Sequence, residues 1–316
     1  MTIALFIGRR LVALLATLVV ASVVIYGALA IAPGDPATLL VGGGKPNPAV
    51  IAEIHREYHL DDPFLSQYAR WATHAVRGDF GQSVVFRSSV MSLIGARIWT
   101  TVMLVVYSAL LILLLGVSLG ILAGLRGGAV GTAVTTITTI AMATPTFVMA
   151  ILLIWIFSTK LSWLPVFGSG DGFGDRVKHL TLPAVALAFT YIAYVARITR
   201  TSVATELRSE HVDTARSRGI AFPQIVRRHV LRNAAAPILT VSGLTIAGLI
   251  AGTAVAEQAF GINGIGSLLV DSASKHDLAV VQALALIMVA AFVVTSTVAD
   301  VINVALDPRL ARKGAA

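Results

Sequence analysis

The chain has 316 residues, of which 56% are hydrophobic and 13% are charged, and its mean hydropathy is +0.84. One soluble core could not bury so much apolar surface, so the composition excludes an ordinary soluble domain and predicts a protein of the lipid bilayer. The chain has no cysteine, which excludes disulfides, thiol catalysis and cysteine-based metal sites, and its formal net charge of +8 indicates either a membrane orientation or a polyanionic partner.

Six apolar runs follow one another along the chain, and they cover residues 11–31, 99–125, 129–158, 180–196, 234–256 and 279–305. A helix needs about 20 apolar residues to cross about 30 Å of hydrocarbon. Because these runs are continuous and do not alternate, they exclude a membrane β-barrel. We therefore predict an all-α membrane protein with six transmembrane helices.

The first run has some features of a secretory signal, with Arg9 and Arg10 before it and Ala28-Leu29-Ala30 near its end. The apolar region of a signal peptide has about 7 to 15 residues, and this run is longer. An uncleaved first span is therefore favoured over a signal peptide.

Charge predicts the orientation. With both ends in the cytoplasm, the cytoplasmic pieces hold 14 of the 24 lysine and arginine residues and 4 of the 16 acidic ones, as the positive-inside rule requires. The predicted parts are an N-terminus with the first helix (1–32), an extracytoplasmic cap (33–98), a core of five further helices (99–305) with a cytoplasmic loop at 197–233, and a cytoplasmic tail (306–316). Nucleic-acid binding is the weaker explanation of the basic charge.

The cap contains a glycine- and proline-rich stretch, residues 42–48, followed by a predicted helix at 49–58. Gly44-Lys45 does not form a nucleotide-binding phosphate loop, because Leu39 and Pro46 stand where that motif has glycine and serine or threonine. His55 and His59 have the spacing of two metal ligands, but no third ligand stands nearby, so solvated histidines are favoured.

The third run carries hydroxyl groups at helical spacing, at Thr132, Thr135, Thr139 and Thr146. Such groups often bond to their own helix, and they sometimes line a transport path, so packing is favoured and path lining stays open. Pro145 predicts a kink in this helix. Gly248 and Gly252 predict close packing of the fifth span, within the chain or with a second permease.

The cytoplasmic loop at 197–233 holds eight basic and three acidic residues. The segment His211-Val-Asp-Thr-Ala-Arg-Ser-Arg-Gly219 predicts a short helix that ends in a sharp turn, because glycine adopts a positive φ without strain. Pro223 suits the first turn of a second short helix.

Several motifs together resemble the permease subunits of ATP-binding-cassette importers, in the peptide and nickel branch of the type I fold. Asp213-Thr-Ala-x-x-x-Gly219 corresponds to the family's Glu-Ala-Ala-x-x-x-Gly pattern, and Arg228-His-Val-Leu-Arg-Asn-Ala234 with Pro237 is similar to its continuation in the peptide branch. Two further segments fit the same branch: Gly78-Asp-Phe-Gly-Gln-Ser83, and Phe260 with Gly264-Ile-Gly266. The resemblance covers nearly the whole chain.

The resemblance implies a permease that binds no cofactor and hydrolyses no ATP itself, with ATP and Mg²⁺ held by two partner ATPase subunits. It further implies a second homologous permease, forming a heterodimer, and an extracytoplasmic substrate-binding protein. The residues expected to couple the chain to the ATPases are Asp213, Ala215, Arg216, Gly219, Ile220, Phe222 and Arg228, with Ile220 and Phe222 as apolar contacts.

Peptides of two or more residues are the expected cargo, imported into the cytoplasm of a bacterial cell across its inner membrane. Nickel chelates, glutathione and haem remain open. An ion-driven carrier is a weaker alternative, because Glu257 and Asp300 fall near the ends of spans and carriers place ionisable groups near the bilayer midplane.

Overall fold

The computed structural model describes residues 3–31, 48–57 and 61–306, and these residues form helices joined by turns, with one isolated antiparallel bridge between Gln82 and Ser89. The helices are α1 (Ile3–Ala30), α2 (Pro48–Glu57), α3 (Phe64–Val76), α4 (Val90–Arg126), α5 (Gly128–Ala143), α6 (Thr146–Lys160), α7 (Gly172–Leu207), α8 (Glu210–Ser217), α9 (Phe222–Ala259), α10 (Ile265–Ser274) and α11 (Leu278–Leu306). The all-helical prediction is confirmed.

Five of these helices, α1, α4, α7, α9 and α11, are long and apolar enough to cross a membrane. The pair α5 and α6 makes a sixth span if it crosses as one broken helix. Helix α4 begins at Val90, nine residues before the predicted run at 99, because the Ser89 side chain caps it by accepting a hydrogen bond from the Ser92 N–H.

The third predicted span is broken, since α5 and α6 are bent by 102° at Thr144-Pro145. Thr144 is extended (φ −87°, ψ 117°), as expected of a residue that precedes proline. At a rise of about 1.5 Å per residue, α5 is about 24 Å long and α6 about 22 Å long. Across the bend of 102°, the outer ends of the two helices are therefore about 29 Å apart. That is close to the roughly 30 Å of a bilayer core. The expected kink at Pro145 is confirmed, and it is sharp enough to divide the span.

Helix α7 lies at the centre of the fold and packs against α4, α5, α6 and α9. A buried cluster along α7 includes Leu180, Leu187 and Val195, with neighbours from α4, α6 and α9. Gly248 and Gly252 of α9 face Tyr191 and Leu187 of α7, where an added Cβ would meet the Tyr191 hydroxyl at 3.1 Å and Leu187 Cδ1 at 2.8 Å. These two glycines therefore allow close packing inside the chain.

The first helix lies at the edge of the fold. It packs on α11, with an ion pair of 3.0 Å between Arg10 and Asp300, and on α3. The Tyr26 ring contacts Phe64, Tyr68 and Trp71 of α3, at centroid distances of 5.7, 5.7 and 5.3 Å. An aromatic cluster thus attaches the cap segment to the first span.

Several sequence expectations concern segments that lie outside the described residues. These are the glycine- and proline-rich stretch at 42–47, His59 with its metal spacing, and the tail beyond Leu306. Within the described ranges, the predicted helix at 49–58 is present as α2, and no group of three or more His, Asp or Glu side chains is placed to hold a metal.

Candidate functional site

The segment after α7, which is predicted to be cytoplasmic, forms a short helix and a turn. Helix α8 has Glu210 and Asp213 in its first turn and Arg216 in its last turn. This arrangement complements the helix macrodipole at both ends. Arg216 also pairs with Asp213 at 3.4 Å on the exposed face.

Gly219 ends α8 in a Schellman motif. The Gly219 N–H donates to the Arg216 carbonyl at 2.9 Å, and the Ile220 N–H donates to the Ala215 carbonyl at 3.2 Å. Gly219 has φ +73°, and an added Cβ would meet nothing within 4 Å. Glycine is therefore required here for its backbone conformation and not for lack of space. The sharp turn expected at this residue is present.

Two of the predicted coupling residues point into the protein. Ala215 is buried, and Ile220 is partly buried against the same apolar cluster as Val212. We name this group the anchor cluster; its buried members are Val203, Val212, Ala215, Ile225, Val230, Ala234 and Ile238, with Val117, Ile121 and Leu125 of α4 packed against it. Helix α8 is thus bound to α4, α7 and α9.

The other predicted coupling residues are exposed. The Phe222 side chain is 50% exposed, and Asp213, Arg216 and Arg228 are on the surface with Gly219. We call this set the outward face. The sequence predicts Ile220 and Phe222 together as apolar surface contacts, but Ile220 follows Gly219 directly and completes the motif by packing on the anchor cluster.

The second short helix of the loop is not a separate element. Phe222 begins α9, which runs on to Ala259 through a π-helical segment at Val226–Val230. Pro223 stands in the first turn, as expected. The chain has no glycine or proline between Gln224 and Ala236 to end the helix, so the first turns continue into the fifth span.

Polar contacts tie α8 to its neighbours. The Asn233 Nδ2 group lies 3.2 Å from His211 Nε2 and 3.4 Å from Glu206 Oε2. His211 also lies 3.5 Å from Glu206. These contacts join the end of α7, the start of α8 and the N-terminal part of α9. The local sequence pattern does not predict them, because Asn233 lies 22 residues beyond His211 and 27 beyond Glu206.

A cavity of about 350 Å³ at the break between α5 and α6 is a second candidate feature. Thr144, Thr146, Thr190 and Tyr191 line it, and Gly252 of α9 forms part of its wall. Among the predicted path residues, Thr146 is thus at the cavity. Sequence reasoning missed Thr190 and Tyr191, although they form an adjacent polar pair within the run at 180–196.

The other three threonines of the third span do not line this cavity. Thr132, Thr135 and Thr139 donate to backbone carbonyls of their own helix, at 3.1, 2.7 and 2.8 Å. Their hydroxyl groups are therefore satisfied locally, which supports the packing interpretation for these positions.

Comparison with known proteins agrees with this architecture. Residues 116–312 match the family described as binding-protein-dependent transport system inner membrane component, and residues 3–105 match the N-terminal part of such components. A probable peptide ABC transporter permease protein, y4tP of Sinorhizobium fredii, is 35% identical over 309 residues, covering 96% of this chain and 98% of that protein. The glutathione transport system permease protein GsiC of Escherichia coli K12 is 34% identical over 309 residues, covering 98% and 99%.

Among solved structures, inward-facing forms of the MetNI methionine ABC transporter contain a similar chain. One matches with a TM-score of 0.54 at 19% identity, covering 68% of this chain and 97% of that one, and another with a TM-score of 0.56 at 18% identity. This likeness shows the type I importer permease fold. With two matched regions and relatives aligned over nearly its whole length, the chain belongs to the family of binding-protein-dependent transport system inner membrane components, the permease subunits of ABC importers.

Proposed function

We propose that this permease forms one half of a membrane pore that imports di- or oligopeptides, with glutathione as a candidate cargo. The observation that supports this most directly is the near full-length similarity to permeases named for peptides and for glutathione. Nickel chelates and haem are the remaining alternatives from the same branch. The cargo is selected chiefly by the extracytoplasmic binding protein.

The chain needs an external source of energy. Its sequence has no phosphate-binding loop, so ATP and Mg²⁺ belong on partner ATPase subunits and this chain is not itself an enzyme. To shift the permease from 1:99 to 99:1 between its inward-facing and outward-facing conformations, a partner must bind one conformation about 5.5 kcal/mol more tightly than the other. That free energy has to enter through a cytoplasmic surface.

Helix α8 and the turn at Gly219 are the surface we assign to the ATPase. The outward face offers an aromatic side chain, Phe222, and the exposed arginines Arg216 and Arg228, and both residue types are enriched in protein–protein interfaces. On its inner side, α8 is held by the anchor cluster to three membrane helices. A force on the outward face would therefore reach α4, α7 and α9 together.

The cavity at the broken span is the part of the transport path that we assign to this chain. Four residues that carry hydroxyl groups line it: Thr144 and Thr146 at the break, and Thr190 and Tyr191 of α7. Polar groups inside a membrane are costly, and they are retained chiefly where they serve packing or a path. A discontinuous transmembrane helix is also a common feature of transporter binding sites.

Two further partners complete the assembly: a second, related permease as the other half of a heterodimer, and the binding protein on the extracytoplasmic side. An ion-driven carrier is less well supported. The Glu257 side chain, one of two acidic groups that would have to carry the ion, is fully buried and does not line the cavity.

Reconstitution tests the proposal. The permease pair should be co-expressed with its partner ATPases, purified, and assayed in proteoliposomes with the binding protein and labelled dipeptide, glutathione or nickel chelate. ATPase co-purification with vanadate-sensitive uptake of a peptide is the expected result. Uptake that needs a proton or sodium gradient and ignores vanadate would overturn the proposal, and uptake of nickel alone would correct its cargo.

A further inference from the structure

A carboxylate lies fully buried near the end of α9. The Glu257 side chain is 0% exposed, and its Oε1 atom accepts a hydrogen bond from the Thr101 hydroxyl at 2.6 Å. Its Oε2 atom accepts one from the Ser267 backbone N–H at 2.8 Å. Thr101 belongs to α4 and Ser267 to α10, so one side chain joins three helices.

The Thr101 hydroxyl and the Ser267 N–H both donate to the Glu257 carboxylate. The Ile265 N–H donates to the Thr101 Oγ1 atom at 2.9 Å, so this oxygen already acts as an acceptor. The single hydroxyl hydrogen of Thr101 is then free to point at Glu257. Both carboxylate oxygens therefore face donors, and an amide in place of the carboxylate would direct an N–H group at one of them.

The start of α10 lies directly on this carboxylate. An added Cβ at Gly264 would come within 2.2 Å of the Glu257 carboxylate carbon, and one at Gly266 would lie 2.7 Å from the Ala254 backbone. A negative charge is favourable at the N-terminus of a helix, where backbone N–H groups lack partners. The glycines leave the space that this close contact needs.

The rest of α10 is attached on the same side of the protein. Ile265 and Leu268 pack in an apolar cluster with Val90 and Ile94 of α4. A second buried carboxylate follows the helix: Asp277 accepts hydrogen bonds from the Ser83 hydroxyl and, at 3.3 Å, from the Val85 N–H. Both ends of α10 are thus fixed on the side predicted to be external.

We propose that Glu257 is a positioning residue that clamps α10 to α4 and α9, so that α10 moves as one unit with these two spans during the transport cycle. The clamp consists of Glu257, Thr101 and the backbone of α10 from Gly264 to Ser267. It rests on the chain being a transport permease, and it assigns to this acid the task of coupling α10 to the movements of two spans. No contact with cargo is involved.

The test uses the complete importer in lipid nanodiscs and measures hydrogen exchange along α10. Glu257→Gln and Thr101→Val should each speed exchange of the Ile265 or Ser267 amides roughly tenfold, because each variant removes a buried acceptor or donor from the clamp. Exchange in α8 should stay unchanged. In proteoliposomes, both variants should raise the number of ATP molecules hydrolysed for each cargo molecule imported.

Two controls separate positioning from general damage. Thr101→Ser keeps the hydroxyl and should restore slow exchange at Ile265, and Ala273→Ser changes an exposed residue of α10 and should behave as the wild type. If Glu257→Gln does not assemble, the Thr101→Val and Thr101→Ser pair decides the matter. Wild-type exchange in α10 for Thr101→Val would overturn the proposal. Hydrogen exchange needs no cargo, so an error in the proposed cargo would not obscure this result.

Discussion

Gly120 of α4 lies so close to Thr199 of α7 that a Cβ added to the glycine would stand 2.4 Å from the Thr199 Cβ atom. Gly116 and Gly124, one turn away on either side, make similar approaches to Val195 and Val203. The three glycines share one face of α4 at four-residue spacing, and they let the two helices pack with their backbones in close contact.

Gly120→Ala should therefore destabilise the permease. The methyl group has no room, and overpacking of this kind costs about 1 to 3 kcal/mol. Gly95→Ala on the same helix is the matched control, because a Cβ there meets nothing within 4 Å and alanine favours a helix by up to about 1 kcal/mol. Thermal unfolding of the purified protein checks this; equal midpoints for the two variants would contradict the close contact.

The predicted orientation gives a second expectation, and the absence of cysteine makes it easy to test. Ser66 of α3 should lie outside the cell and Ser217 of α8 inside, and both are exposed. Single cysteines at these positions should react with a membrane-impermeant maleimide from opposite sides of the membrane. Labelling of both from the same side would show that the topology is wrong.

Local chemistry explains which features were accessible from the sequence. The prediction of six spans follows from composition, the break at Pro145 from the missing N–H, and the turn at Gly219 from a motif of a few residues. The clamp at Glu257 was not accessible, because its partner Thr101 is 156 residues away. The inward position of Ile220 was missed for a similar reason: the residues that bury it belong to other helices.

Gly219→Val should uncouple the permease from its ATPases. A β-branched residue is strained at φ +73°, by about 1 to 3 kcal/mol. The turn would therefore change conformation, and the outward face would no longer have the orientation that the ATPase binds. Gly219→Asn should be milder, because asparagine tolerates this region. Asp213→Lys should also be mild, because it places a positive charge at the N-terminus of α8 at a cost of about 0.3 to 1 kcal/mol.

Co-purification of ATPase with the tagged permease, together with uptake in proteoliposomes, measures the Gly219 effect. Membrane insertion should be normal in all three variants. Wild-type ATPase association and uptake in Gly219→Val would show that this turn is not where the ATPase couples.

Phe222 and Ile220 stand two residues apart but should respond differently to truncation. Phe222→Ala removes an exposed ring, so the thermal midpoint should hold while ATPase binding weakens about tenfold or more, as at an interface hot spot. Ile220→Ala removes packing from the anchor cluster, so the midpoint should fall. If the two variants lose ATPase binding and stability in the same proportion, the division into an outward face and an anchor cluster is wrong.

The cavity at the broken span predicts a variant that impairs transport alone. Thr146→Leu replaces a hydroxyl on the wall with a bulkier apolar group, so cargo should meet both a narrower and a less polar path. Uptake should fall roughly tenfold, equivalent to about 1.4 kcal/mol at the limiting step. ATPase association should be unchanged, because the anchor cluster and outward face are untouched.

Thr139→Leu is the control, since that exposed hydroxyl donates to the Thr135 carbonyl of its own helix and does not line the cavity. Uptake rates and ATPase co-purification, measured side by side, decide the question: an equal loss of uptake in both variants would assign the effect to the helix as a whole, and the cavity would lose its place in the path.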